Sequence, residues 1–169
     1  TVALVPTMGN LHEGHLSLIR RARVYAERVV CSIFVNPTQF DPGEDFSAYP
    51  RTLVEDEALL SEQGLVDLVF APEEADIYPF GNENAVEVVM PKLSTELCGA
   101  SRPGHFDGVA TVVAKLLIQT SPDCVYFGMK DAQQTAVVRK LLSDLDLPIA
   151  MNVLPTVREN DGLAVSSRN

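Results

Sequence analysis

Apolar residues fall into two recurring patterns along the chain, short unbroken runs and longer stretches with a helical period. Residues 2–5, 29–35 and 66–70 are short runs rich in β-branched side chains, and they predict buried strands. Residues 16–26 and 52–63 carry apolar side chains three and four apart and predict helices. Thr52 with Glu55 three positions on reads as a capping box for the second helix, and Gly64 reads as its stop. The second half repeats the alternation, with a helix over 109–119, a strand over 124–127, a helix with Lys130 and Asp131 at its start and a last strand over 149–154. Residues 86–90 read as one more strand, without an assigned place in the sheet. Residues 41–51 and 72–84 read as loops. Strand and helix in strict alternation predict a parallel sheet with right-handed crossovers.

The first strand runs into Pro6-Thr7-Met8-Gly9-Asn10-Leu11-His12-Glu13-Gly14-His15 and then directly into a helix. A strand, a Gly-bearing turn and a helix N-terminus in that order suit a polyphosphate, because the first amides of the helix and its dipole face the turn. His12 and His15 are three apart and share one face of the first helical turn. In an open α/β sheet ligands bind beyond the carboxyl ends of the strands. That rim also receives Asn36 and Gln39 after the second strand, and Gly128, Lys130, Asp131 and Gln134 after the fourth. Arg102 and His105 flank Pro103-Gly104 ahead of another helix and place a cation and an imidazole beside its start. Ser166-Ser167-Arg168 brings two hydroxyls and a guanidinium suited to phosphate oxygens.

Composition changes this picture by exclusion. A net charge of −10 argues against a nucleic-acid partner, although tRNA-charging enzymes use an H-x-G-H turn as well. A free nucleotide fits better. Cys31 and Cys124 lie in or beside apolar runs and are expected to be buried, and the three cysteines form no C-x-x-C pair. With no apolar run near the ~20 residues of a membrane helix, the expectation is a cytoplasmic protein with no membrane partner. Zinc held by His12, His15 and His105 is a rival reading, weakened because the spacing does not match His-Glu-x-x-His.

Six strings together resemble the pantothenate synthetase (pantoate–β-alanine ligase) family: residues 6–15, 34–40, 49–51, 99–106, 127–134 and 161–169. They span the whole chain in the family's order. The resemblance implies a Rossmann-like α/β fold of the nucleotidyltransferase, HIGH-motif type, a parallel sheet with helices on both faces. It implies an ATP-dependent ligase that joins (R)-pantoate to β-alanine through a pantoyl-adenylate, with Mg2+ accompanying ATP, in a homodimer. By that resemblance Met8, Gly9, Asn10, Leu11, His12, Glu13, Gly14 and His15 bind ATP, His15 being the proton donor and His12 its partner on the phosphates. Gly128, Met129, Lys130, Asp131, Val157, Val165, Ser166, Ser167 and Arg168 complete the ATP site, and His12, His15, Lys130 and Arg168 form the catalytic set. Gln39 and Gln134 hold pantoate, and Gln39 also touches β-alanine. Thr38, Cys98 and Met129 depart from the family's usual residues, which are Met, an acidic residue and Glu. Residues 1–169 are read as the nucleotide- and pantoate-binding domain. The family's C-terminal lid lies outside them, so weak binding and slow turnover are expected of this chain. The rival readings are a related nucleotidyltransferase and a non-catalytic nucleotide-binding module.

Overall fold

The computed structural model describes residues 1–40 and 46–167. Its strands are β1 (Val2–Thr7), β2 (Arg28–Ile33), β3 (Leu68–Phe70), β4 (Cys124–Gly128) and β5 (Ala150–Leu154). They form one all-parallel sheet in the order β3-β2-β1-β4-β5. The helices are α1 (Glu13–Tyr25), α2 (Leu53–Gln63), the single turns α3 (Glu74–Ile77) and α4 (Cys98–Ser101), then α5 (His105–Thr120) and α6 (Ala132–Asp144). This is the parallel sheet expected of the alternating pattern and the Rossmann-like arrangement that the resemblance implies.

Because successive strand residues face opposite sides, the sheet divides its apolar residues between two cores. Ala3, Val5, Val29, Cys31, Ile33 and Tyr126 pack with Leu16, Ile19 and Ala22 of α1 and Leu60 of α2. Leu4, Val30, Val125 and Phe127 pack on the other face with Val109, Val113 and Leu117 of α5 and Val137 and Leu141 of α6. Helices therefore cover both faces. Each fully buried Leu or Ile contributes about 1.5–3 kcal/mol of transfer free energy, so the two cores hold the strand ends in register. Burial pushes the Cys31 thiol up to about 12, in keeping with its place in the core, while Cys98 is exposed.

The strand order reverses at β1, between β2 and β4, and a crevice opens above the carboxyl ends at that switch point. Thr7 and Gly128, the last residues of β1 and β4, border it.

Three local expectations change. Residues 86–90 do not join the sheet: the Val88 N–H donates to Thr111 Oγ1 (2.9 Å) and the Met90 N–H to Asp107 Oδ1 (2.7 Å), so this extended stretch is tied to side chains of α5. Its apolar content reads as a strand, yet two of its amides go to side chains of a helix. The Thr52–Glu55 capping box does not form. The Thr52 hydroxyl instead donates to Asp56 Oδ2 (3.0 Å). Finally, α5 begins at His105 rather than at residue 109, because Gly104, with φ +79°, makes the turn into it.

Candidate active site

β1 passes into α1 through two consecutive residues of positive φ, Gly9 (+80°) and Asn10 (+49°). A side chain at Gly9 is disfavoured twice, by that φ and because a Cβ would lie 2.9 Å from Asp56 Oδ2. The turn is closed from within. Thr7 Oγ1 accepts the Gly9 N–H (3.2 Å), and the buried Asp56 carboxylate accepts the N–H groups of Asn10 (2.9 Å) and Leu11 (2.8 Å).

The histidines cap α1 between them. His12 Nδ1 accepts the Gly14 N–H (3.1 Å), His15 Nδ1 accepts the His12 N–H (3.3 Å), and the two rings lie 4.1 Å apart, tilted by 31°. The amides expected to be free for phosphate are therefore largely occupied by the chain's own side chains. A backbone N–H can only donate, so both Nδ1 atoms are unprotonated and each neutral ring carries its proton on Nε2. The imidazoles turn the donor capacity of the helix end into two Nε2–H groups.

Burial, reinforced by the neighbouring His12 and Lys130, lowers the His15 pKa to about 3. Burial and Lys130 also lower that of His12. His15 is thus a neutral hydrogen-bond donor at physiological pH. An unfolded histidine titrates near 6.5. Between pH 6.5 and about 3 the unfolded chain binds a proton that folded His15 does not, so the contribution of this group to stability is complete above pH 6.5 and declines below it. We expect the melting temperatures of the wild type and His15→Gln to run parallel above pH 7 and to converge as pH falls toward 4. Parallel curves throughout would refute the lowered pKa.

After β2 the chain makes a 3-10 turn, Pro37–Gln39, that is fastened to the start of α5. Asn36 is 1% exposed. Its Nδ2 donates to Gly108 O (3.2 Å) and to Gln39 Oε1 (3.2 Å), and its Oδ1 accepts from Tyr78 Oη (2.7 Å) and Thr38 Oγ1 (3.1 Å). Asn36, expected on the rim beside Gln39, thus borders the crevice while its amide serves the loop. His105 Nδ1–H donates to Gln39 O (2.7 Å), and Arg102 Nη1 donates to His105 Nε2 (3.2 Å). Arg102 and His105 therefore brace the loop that carries Gln39. His105 is engaged there, and among the described residues no three His, Cys, Asp or Glu side chains converge as a metal site.

Beyond β4, Lys130 and Asp131 lie in the 3-10 turn Met129–Asp131, and Lys130 Nζ sits 3.2 Å from both Asp131 carboxylate oxygens. The lysine is oriented by its neighbour, so Met129 in place of a Glu leaves it with an acidic partner. The C-terminal segment returns to the first turn, where Asn10 Nδ2 donates to Ser167 O (3.1 Å) and Ser167 Oγ donates to Asn10 O (3.1 Å).

Most of the residues singled out from sequence thus converge on one crevice. Met8, His12, Gly14 and His15 line it together with Gly128, Lys130, Asp131, Gln134, Val157, Val165, Ser166 and Ser167. Gln39 also lines it, and its Nε2 donates to Met8 Sδ (3.2 Å). Gly9, Asn10 and Leu11 shape the turn without lining the crevice, Glu13 forms an ion pair with Arg20, and Met129 is 47% exposed. Arg168 lies outside the described residues. Sequence reasoning missed Asp56, Tyr78 and Thr7. Each is a polar group with at least one partner from a distant segment, for Thr7 the Ser32 carbonyl (2.7 Å), and only Asp56, as an acidic residue in a helix otherwise legible from its apolar period, carried a faint signal.

A sequence model of the pantoate-beta-alanine ligase family matches residues 1–169. The chain belongs to that family. Pantothenate synthetases of Thioalkalivibrio sulfidiphilus and Marinobacter nauticus are 59% and 58% identical to it, covering 99% and 100% of this chain and 58% and 60% of their own length. The crystal structure of pantothenate synthetase from Thermus thermophilus superposes with a TM-score of 0.94 at 55% identity, over 99% of this chain and 60% of that one. The pantoate-beta-alanine ligase of Francisella tularensis, crystallised with beta-gamma ATP and beta-alanine, superposes at 0.93 with 44% identity, over 99% and 63%. The chain thus spans about three-fifths of the length of these ligases. No described helix is long and apolar enough to cross a membrane.

Proposed function

We propose that the crevice binds ATP and (R)-pantoate and carries out the chemistry of the ligase family, joining pantoate to β-alanine by way of an acyl-adenylate. The observation that carries this reading is the meeting, at the switch point of the sheet, of two Nε2–H imidazoles and Lys130 with two uncharged amides, Gln39 and Gln134. The first group answers to a polyphosphate and the second to a small hydroxy acid.

In the first step a pantoate carboxylate oxygen attacks the α-phosphorus of ATP and the bond to pyrophosphate breaks. Negative charge grows on the oxygens of the pentacoordinate phosphorus and on the leaving group. Lys130 and the two Nε2–H donors are positioned before that charge appears, which is the economical way to stabilise it. Gln39, held by His105 through its carbonyl, and Gln134 on α6 orient the acid. In the second step the β-alanine amine attacks the acyl carbon, AMP leaves with the C–O electron pair, and the amine loses a proton. Neither step needs a covalent bond to the protein.

Among the described residues Asp131 is the carboxylate that borders the crevice, and it would hold the Mg2+ that comes with the nucleotide, which would supply positive charge against that of the phosphates. The balance of −10 with a few cations gathered at the crevice favours a free nucleotide over a nucleic acid. A setting in the cytoplasm fits three unpaired cysteines.

The decisive experiment follows labelled pyrophosphate into ATP with Mg2+, with and without pantoate. Exchange that requires pantoate supports the ligase reading. Saturable ATP binding with no pantoate-dependent exchange would support a nucleotide-binding module instead, and exchange driven by a phosphate-ester acceptor would support a related nucleotidyltransferase.

A further inference from the structure

Asp56 takes no part in the chemistry derived above, yet it is a buried carboxylate beside the nucleotide turn. It lies on α2 with 3% of its surface exposed, and among the described residues it forms no ion pair. Its charge is met by dipoles. Oδ1 accepts the Leu11 N–H (2.8 Å), and Oδ2 accepts the Asn10 N–H (2.9 Å) and the Thr52 hydroxyl (3.0 Å). Thr52 Oγ1 also accepts from the Asn10 N–H, at 3.1 Å.

Two successive amides aimed at one point form a concave donor site of the kind that binds phosphate or carboxylate. Here that site is filled by the protein's own anion. A carboxylate so buried is costly unless it is hydrogen-bonded, and Asp56 receives three donors here: the turn adopts this shape with Asp56 bound in it, or the charge loses those partners. The consequences reach the histidines and the C-terminal segment that border the crevice. Leu11 is followed at once by His12, whose ring caps α1 and whose N–H fixes the His15 ring. Asn10, held through its N–H, uses its carbonyl and side chain to hold Ser167.

We propose that Asp56 is a positioning residue for the nucleotide site, an internal anion that occupies the amide pair of the Gly9–Leu11 turn and thereby sets His12, His15 and Ser167 for the phosphates of ATP. The inference rests on the ATP reading of the crevice for its second half only, since the orientation of the imidazoles is measurable without nucleotide.

The test uses histidine-labelled protein. In the wild type, nitrogen shifts at neutral pH should show His12 and His15 each unprotonated at Nδ1 and protonated at Nε2. Asp56→Asn keeps the shape of the side chain but turns one acceptor into a donor facing an amide. It should move both rings toward averaged tautomers and raise the dissociation constant for ATP, read by calorimetry, about tenfold or more. Thr52→Val removes only the hydroxyl and should shift both readouts in the same direction by less, which keeps the inference testable where Asp56→Asn folds poorly. Leu60→Ala, on the same helix and 2% exposed, controls for lost packing: it should lower the melting temperature while leaving ring signals and ATP affinity within about twofold of wild type.

Wild-type ring signals and ATP affinity in Asp56→Asn, with only the melting temperature reduced, would overturn the proposal, as would unchanged rings in Thr52→Val. Tighter ATP binding in Asp56→Asn would also overturn it, since the carboxylate would then be a competitor of the phosphates. Should the wild type bind no ATP, the ATP reading fails by itself, and the ring signals still decide the role of Asp56.

Discussion

His15→Ala is expected to lower pantoate-dependent exchange of pyrophosphate into ATP by about 10² to 10³-fold, the loss typical of removing one preorganised donor from a site of developing charge. His15 has two attachments. Its Nδ1 accepts the His12 N–H, and its ring stands 4.1 Å from the His12 ring, so its removal takes away one Nε2–H, leaves the His12 amide without its partner and strips the His12 ring of its neighbour, while the Gly14 N–H still holds His12 Nδ1. The rate should therefore fall more than for loss of one hydrogen bond in an exposed site. ATP affinity, as a second readout, should fall by a smaller factor, because Lys130, Ser166 and Ser167 still border the crevice. His15→Gln, which returns an N–H donor on a flexible stem, should recover only part of the lost rate. A reduction of less than about threefold in His15→Ala would remove His15 from the transition-state interactions and leave it the role of a helix cap.

Gly108→Ala is expected to cause the largest loss of stability of any single methyl addition near the crevice. A Cβ at this position would lie 2.3 Å from Thr38 O, 2.7 Å from Thr38 C and 3.0 Å from Gln39 N, all of them backbone atoms with no rotamer through which to retreat. Relief requires moving the 3-10 turn Pro37–Gln39 away from α5. That movement would stretch the bonds from Asn36 Nδ2 to Gly108 O and from His105 to Gln39 O. An overpacked contact of this kind costs about 3 kcal/mol, and in a chain of this length each kcal/mol moves the melting temperature by roughly 2–4 °C, so a fall of about 6–12 °C is expected. Pantoate should suffer more than ATP, because the displaced residue is Gln39 while the histidines lie between β1 and α1 and in the first turn of α1. A melting temperature within about 2 °C of wild type would show that α5 and the turn separate freely and that the close approach of the two segments has no structural importance.

Much of this protein was legible in the order of its residues. Alternating apolar runs and helical periods determined the parallel α/β architecture, because strand and helix burial patterns have different periods and cannot substitute for each other. The polar strings at the carboxyl ends of β1, β2 and β4 pointed to one rim for the same reason: in a parallel sheet every strand delivers its last residue to the same edge. His12, His15, Gln39, Lys130 and Gln134 were identifiable on those grounds, and all of them border the crevice.

What the residue order left open is how those side chains are held. Residues 86–90 have the composition of a strand, yet the Val88 and Met90 amides go to the hydroxyl of Thr111 and the carboxylate of Asp107, which the folded chain brings beside them. Thr52 has the local pattern of a cap, yet its hydroxyl goes to Asp56 and Asn10 because the β1–α1 turn arrives there from forty-two residues away in the chain. The amides of that turn look free in the sequence and are filled in the fold by Asp56 and by the two imidazoles, which fixes the protons of His12 and His15 on Nε2. Local pattern determines which groups reach the rim, since it depends on neighbours along the chain. The partner each group takes was decided by tertiary structure alone, because a hydrogen bond is satisfied by whichever donor or acceptor lies within about 3 Å, at any distance along the chain.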